Sequence, residues 1–433
     1  MLLSCWAWSA VLLFIFRYLR LVVNLISNWT YKPIPIPEKP TYTRKDVTVI
    51  IPTIEGEGET LCRTIKTCLA TQPFEIIIVT IDSSIKRAER TVATFNSSKI
   101  RILSVAKANK RSQMCAAIPK VMTKITIFAD DDVIWPQTIL PWILAPFEND
   151  EMGGVGTSQR LMRPKKPTIW SFLGSLYLER RNFDCSACLN IDGGLPCLSG
   201  RTVAYRTCIL QDEAFTYGFT NETWRNFQLN ADDDNFITRW MYSHGWKIAM
   251  QYHKACEVQT TLEDSPKSTP WTTYAVFQTT LTAWALMDFL IFFFFYKATE
   301  NLPVGTRQRI LTAIGIWIFC FAKSIKLYGH WIRYPADLLM LPCSVLFGHV
   351  HGLIKLAGLL TLSATSWGSR EGADDDNHYR MIKLPPYDAD DIEASLPLAP
   401  DSATRLTMTQ HPPPYKEHEH DETCPLQGHY SYD

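Results

Sequence analysis

The sequence predicts an α/β fold: a mostly parallel sheet flanked by helices, set between membrane segments. Three observations carry this. Residues 46–256 alternate short β-branched runs with helical stretches. The first run closes on Pro and Gly, and the fourth on an acidic triplet. Long apolar segments lie on both sides of this region.

In order, Asp46–Ile54 (DVTVIIPTI) reads as a buried strand because its β-branched residues run without alternation. Glu59–Ala70 reads as a helix and Glu75–Ile81 (EIIIVTI) as a second strand. Arg101–Val105 is a third strand. Lys110–Ile118 is helical and stops at Pro119. Lys124–Phe128 (KITIF) is a fourth strand, leading into Asp130-Asp131-Asp132. Ligands of such sheets bind beyond the carboxyl ends of the strands. Thr53, Glu55, Asp82 and the acidic triplet fall there. Neither G-x-G-x-x-G nor G-x-x-x-x-G-K-[ST] occurs, which disfavours dinucleotide and Walker-type phosphate cradles.

The chain has 433 residues, 46% hydrophobic and 12% aromatic, enough for one or two domains, or one domain plus membrane segments. Its 43 basic and 43 acidic side chains give zero net charge, which argues against a polyanion-binding surface; nucleic acid is not an expected partner. The charge is unevenly spread. Residues 370–433 hold 5 Lys+Arg against 14 Asp+Glu, a net of −9. The 12 Cys follow no regular framework, unlike a small disulfide scaffold.

Leu2–Phe16 is uncharged, and Arg17 and Arg20 follow it. A secretory signal carries its positive residues before the apolar core. Here they come after, so residues 1–27 read as a transmembrane signal anchor, with the following domain (28–267) in the cytosol. Residues 268–368 form a membrane region with spans near 274–296, 310–328 and 336–365. Tyr274–Tyr296 would cover about 34 Å as a helix. Asp288 lies inside it, facing protein, water or a lumen, or else placed at the membrane edge. The last segment is broken by Pro342, Gly348, His349, His351 and Lys355 and fits a span, a re-entrant pair or an interfacial helix. Residues 369–433 form an acidic, disordered tail.

Several constellations carry chemistry. In an extended segment Asp130 and Asp132 point the same way and can share one divalent cation, Mg²⁺ or Mn²⁺, beside a substrate diphosphate. A second triplet, Asp232-Asp233-Asp234, precedes the amphipathic stretch Asn235–His244. There Asp233 and Asp234 serve either as helix N-terminal carboxylates or as a general base. Asp192-Gly193-Gly194 and Cys197-Leu198-Ser199-Gly200-Arg201 permit close backbone approach to a ligand. Cys185 and Cys188 form a C-x-x-C, but Cys197 and Cys208 lack zinc-knuckle spacing.

Together the segments VIIPTIEGEGETLCRTI, EIIIVT, KANKRSQMCAAI, FADDDVIWP, LERRNF, IDGGLPCLSGRTVAYR, ADDDNFITRWMYSHGWK and TSWGSREGADDD resemble the family-2 processive glycosyltransferases, the group of hyaluronan, chitin and cellulose synthases. The fungal hyaluronan-synthase-like branch looks nearest. The resemblance implies a GT-A domain facing the cytosol, a UDP-sugar donor, a polysaccharide acceptor and a divalent metal. It implies that Thr53, Glu55 and Asp82 line the nucleoside pocket, with Lys110 beside the donor. Asp130 and Asp132 would be the metal motif, with Asp130 also next to the nucleotide sugar. Ser199, Gly200 and Trp240 would line the acceptor side. Asp234 would be the general base, with Asp233 beside it. One departure stands out: the Gln-x-x-Arg-Trp element is absent, and the chain runs through Ser268-Thr269-Pro270-Trp271 into the apolar segment at Tyr274.

Two motifs mark the tail. Leu384-Pro385-Pro386-Tyr387 and Pro412-Pro413-Pro414-Tyr415 suit the aromatic grooves of WW domains, pointing to a WW-containing ubiquitin ligase as partner. Asn28, Asn96 and Asn221 match the glycosylation pattern; the last two stay unused in a cytosolic domain. The expected activity is inverting transfer from a UDP-sugar to a cell-surface or cell-wall polysaccharide, on a plasma-membrane or secretory-pathway membrane. The alternatives are a non-processive transferase acting on a lipid or short acceptor, and an inactive membrane adaptor working through the Pro-Tyr motifs.

Overall fold

The computed structural model describes residues 5–163, 166, 168–195, 197–224, 227–229, 233–261 and 285–347. The Pro-Tyr motifs, the Ser268–Trp271 join and Asp232 lie outside these residues, as do parts of the first and last expected membrane spans.

Helix α1 (Cys5–Thr30) comes first. Then follow β1 (Val47–Pro52), α2 (Glu59–Ala70), β2 (Glu75–Ile81), α3 (Ile85–Ala93), β3 (Ile100–Val105), α4 (Lys110–Ala117) and β4 (Ile125–Ala129). Next come β5 (Val133–Ile134), α5 (Ile139–Leu144), β6 (Met152–Thr157), β7 (Gln159–Leu161) and the long α6 (Ile169–Asp192). The domain continues with β8 (Thr202–Arg206), α7 (Thr207–Leu210), α8 (Glu213–Asn221), the hairpin β9 (Thr223–Trp224) and β10 (Phe227–Gln228), α9 (Asp233–Ser243), β11 (Lys247–Gln251) and β12 (Val258–Thr260). Three helical segments follow: α10 (Ala285–Ala298), α11 (Val304–Arg333) and α12 (Pro335–Phe347).

The main sheet runs β11-β6-β8-β4-β1-β2-β3. β8 pairs antiparallel with β4 and β6, and the other pairings are parallel. Every residue of β1 is buried, as its uninterrupted apolar run requires of a strand covered on both faces. One face packs Ile51, Ile65, Ile127 and Phe147; the other packs Ile50, Phe128, Tyr205 and Phe215. A small sheet, β5-β12-β7, flanks it.

Local chemistry sets the helix ends. Asn109 caps α4 by accepting the Ser112 amide at 3.0 Å, and Pro119 falls in the 3-10 turn that ends it. Thr168 and Ser171 form a reciprocal cap at the start of α6. Gly193 closes α6 at φ +73°, a left-handed conformation favoured by glycine.

α6 joins the domain to the apolar helices. Phe183 packs against Tyr18, Leu21 and Leu25 of α1, Ile291 of α10 and Ile318 of α11. Asp184 accepts from Asn24 at 3.1 Å and pairs with Lys326 at 2.8 Å. Among the described residues α1 and α11 are long and apolar enough to cross a membrane. α11 extends further in both directions than the expected 310–328. α1 leaves Leu12, Phe16, Leu19 and Ile26 exposed.

Candidate active site

The carboxyl ends of the parallel strands and the start of β8 lie on one edge of the main sheet, and most of the candidate residues gather there. Asp130 follows β4. Its amide donates to the Arg201 carbonyl at 3.0 Å, which ties the acidic triplet to the loop before β8. Lys110, the first residue of α4, places its Nζ 2.9 Å from Asp130 Oδ1 and 3.2 Å from Asp233 Oδ2. One ammonium therefore joins the two acidic triplets. Burial pulls its pKa down, but Asp130, Asp233 and Asp234 outweigh burial and hold it above the ordinary lysine value.

Asp233 and Asp234 occupy the first turn of α9. Asp234 Oδ2 accepts the Gly200 amide at 3.1 Å. The Thr238 hydroxyl donates to the Asp234 carbonyl at 2.7 Å and accepts the Leu198 amide at 2.9 Å. These bonds hold the Leu198–Gly200 segment against α9. A Cβ at position 200 would lie 3.3 Å from Asp233 Oδ2 and 3.6 Å from Lys110 Nζ, so glycine permits this approach. Burial raises the Asp233 carboxyl above its usual range, Lys110 opposing.

Asp131 turns inward. Its Oδ2 accepts the Thr53 hydroxyl at 2.7 Å, linking β4 to the loop after β1. Gln113 of α4 fixes that loop further, donating to the Thr53 carbonyl at 2.9 Å and to Val79 at 2.8 Å. Asp132 accepts from the hydroxyls of Thr260 and Thr261. Burial and then the Asp130 charge raise its carboxyl above the ordinary value.

Glu55 is exposed on the loop after β1. Asp82 stands at the end of β2, exposed, accepting the Ser104 hydroxyl at 2.6 Å. Both share the sheet edge but stay outside the bonded cluster. Trp240, half-exposed on α9, is not among the residues bonded to this cluster. Its ring stacks between Phe236 and His244 and meets Phe215 edge-on, so it belongs to the packing of α8 on α9. Its neighbour Arg239 pairs with Glu222.

The sequence offered Asp131 and Arg201 only as members of their motifs, and gave Gln113 and Arg181 no role. Arg181 of α6 donates to Ser199 Oγ at 2.7 Å, and Arg201 donates to Gln159 Oε1 at 2.9 Å. The doubled arginine in LERRNF marks Arg181, but its partner is visible only in three dimensions.

Among the described residues no three His, Cys, Asp or Glu side chains group to hold a metal ion. The pair Asp130 and Asp132 still suits a hard divalent cation. Both offer carboxylate oxygens, and their mutual repulsion is what a cation would relieve. Mg²⁺ is commonly held by one or two carboxylates plus substrate phosphates.

The fold is thus an α/β domain that gathers carboxylates and one lysine at the carboxyl edge of a mostly parallel sheet. The sequence matches the family described as glycosyltransferase like family 2 over residues 44–278. It is 58% identical over 413 residues to a type 2 glycosyltransferase of Zymoseptoria tritici, covering 88% of each chain. It is 45% identical to one of Gibberella zeae, covering 88% of this chain and 78% of the relative. The chain belongs to glycosyltransferase family 2. The mannosyltransferase PcManGT of Pyrobaculum calidifontis, solved with GDP-Man and Mn²⁺, superposes with a TM-score of 0.47 at 14% identity, covering 82% of this chain and 99% of that one.

Proposed function

We propose that the protein is a membrane-bound inverting glycosyltransferase that moves a sugar from a UDP-sugar onto a growing cell-surface or cell-wall polysaccharide. The observation that carries this reading is the Lys110 bridge between Asp130 and Asp233, with Asp234 held next to Gly200. It sets a general-base candidate beside a donor-side acidic motif.

Asp234 takes the proton of the acceptor hydroxyl, and that oxygen attacks the anomeric carbon from the face opposite the nucleotide. Single displacement inverts the configuration. The Gly200 amide orients the carboxylate, and Ser199 faces the acceptor. Lys110 bridges Asp130 and Asp233, offsetting their repulsion, and offers positive charge where the diphosphate departs. Thr53, held by Asp131 and Gln113, forms the wall of the nucleoside pocket, with Glu55 and Asp82 at its rim. Asp130 and Asp132 would hold Mg²⁺ or Mn²⁺, which when bound neutralises diphosphate charge. The apolar faces of α1 and α11 meet lipid, with the catalytic domain in the cytosol.

The test is UDP release in isolated membranes with UDP-glucose, UDP-N-acetylglucosamine and UDP-glucuronate, singly and mixed. Release with one donor, lost in Asp234→Asn, supports the transferase. No release from well-expressed protein with any donor overturns it and turns attention to the adaptor reading.

A further inference from the structure

The chain between α6 and β8 is laid along one face of α9 by three amide bonds at regular spacing. Asp234 Oδ2 accepts the Gly200 amide at 3.1 Å, Thr238 Oγ1 accepts the Leu198 amide at 2.9 Å, and the Tyr242 hydroxyl accepts the Leu195 amide at 2.6 Å. Positions 234, 238 and 242 are four apart on one helix, so their side chains share a face. The chain runs down that face as the helix runs up it. From Leu198 to Gly200 it advances two residues, about 7 Å when extended, against the roughly 6 Å that four helical residues rise. That step has little slack.

Tyr242 is the far member of this ladder. Its hydroxyl also donates to the Gly193 carbonyl at 3.0 Å, so one oxygen ties both sides of the turn that leaves α6. Asp192 Oδ1 accepts the Gly194 amide at 2.8 Å, which tightens the same turn. Tyr242 is 41% exposed, so its ring is not part of the core. It lies about 12 Å along the helix axis from Asp234. Leu195 and Leu198 are buried and draw the chain toward the core, but apolar contact has no direction. The amide bonds do have direction, and they set where the Gly200 amide and Ser199 stand.

We propose that Tyr242 is a positioning residue for the transfer. By holding Gly193 and Leu195 it sets the register of residues 195–200 on α9, and so the placement of the Gly200 amide and Ser199 against Asp234. The effect on transfer rests on the transferase reading; the register is a property of the folded chain. Two measurements keep them apart.

The first is residue-resolved hydrogen–deuterium exchange on the full-length protein in detergent, comparing the parent with Tyr242→Phe, which keeps the ring and removes only the hydroxyl. Exchange is expected to quicken at Leu195, and also at Leu198 and Gly200, whose amides bond elsewhere, by roughly threefold or more. Ser243→Ala loses bonds to Trp240 and His244 but none to this stretch, and leaves the three amides unchanged. The second is the transfer rate per UDP-binding site in isolated membranes, with UDP-glucose, UDP-N-acetylglucosamine or UDP-glucuronate. It is expected to fall roughly tenfold in Tyr242→Phe, with donor KM unchanged. Counting sites by UDP binding removes any loss of folded protein from the comparison. Thr238→Val reproduces both effects, and Thr238→Ser restores them because serine keeps the oxygen. Exchange that quickens at Leu195 alone overturns the register. Quickened exchange at all three amides with unchanged transfer per site overturns the positioning role. If the parent releases no UDP, the transferase reading fails, and the exchange pattern alone decides whether Tyr242 sets the register.

Discussion

The Gly200 amide donates to Asp234 Oδ2 at 3.1 Å, so a backbone donor helps fix the orientation of the general-base candidate. An asparagine at 234 still offers an oxygen to that amide, and Thr238 still bonds the carbonyl of residue 234. Asp234→Asn is therefore expected to leave the melting temperature within a few degrees of the parent and to slow transfer by about 10²–10⁴-fold. Thermal unfolding beside UDP release checks this. A variant that loses both stability and activity would mean the carboxylate is structural.

The acidic triplet divides its labour by direction. Asp132 faces Asp130 and the threonine hydroxyls, whereas Asp131 is buried against Thr53 at 2.7 Å. Chelation of divalent ions is expected to abolish transfer, and Mg²⁺ or Mn²⁺ to restore it. Asp132→Asn is expected to raise the half-saturating metal concentration at least tenfold with little change in stability. Asp131→Leu leaves the Thr53 hydroxyl unpartnered in a buried position, at about 1–3 kcal/mol of stability. A metal titration and a melting curve of each variant separate the roles; identical behaviour of the two contradicts the division.

Much of this edge was legible in the sequence. The β-branched runs gave β1 through β4 to within about two residues, and α2 and β2 coincide with their readings. Strand β6 was not legible, because MGGVGT has neither alternation nor an apolar run. Its residues are buried because the sheet extends past them, which is a tertiary fact. The antiparallel β8, and with it the Arg201 carbonyl against Asp130, depends on a pairing across about 70 residues of sequence. Trp240 shows the opposite case. Phe236 and Trp240 are four apart on α9 and His244 follows its last residue, so their stacking follows from helical spacing.

Burial pushes the thiols of Cys115 and Cys256 up to about 12. An ordinary thiol titrates near ~8.5. The reactive form is the thiolate, which becomes the major species only as pH rises through the shifted value. At pH ~8 roughly one in 10⁴ of these thiols is ionised, against about a quarter of an ordinary thiol. Iodoacetamide is expected to spare both in the folded protein and to label both after denaturation. Peptide mass spectrometry reads the difference. Rapid labelling of Cys256 under native conditions would contradict its packing at the end of β11.

Asp288 is fully buried between three helices. It pairs with Arg17 of α1 at 3.3 Å and Lys323 of α11 at 2.8 Å, and accepts the Tyr18 hydroxyl at 3.1 Å. One carboxylate thus fixes the register of α1, α10 and α11. Removing it leaves two cations facing each other in a poorly hydrated place, and breaking a buried pair from one side costs about 3–5 kcal/mol. Arg17 and Lys323 keep 18% and 16% side-chain exposure, so the lower end of that range is expected. Asp288→Leu should lower the melting temperature in detergent. The triple variant Arg17→Leu, Lys323→Met, Asp288→Leu should recover most of the loss, because a matched apolar set no longer buries an unpaired charge. If the triple variant is as unstable as the single one, the packing of the three helices does not depend on charge compensation at Asp288.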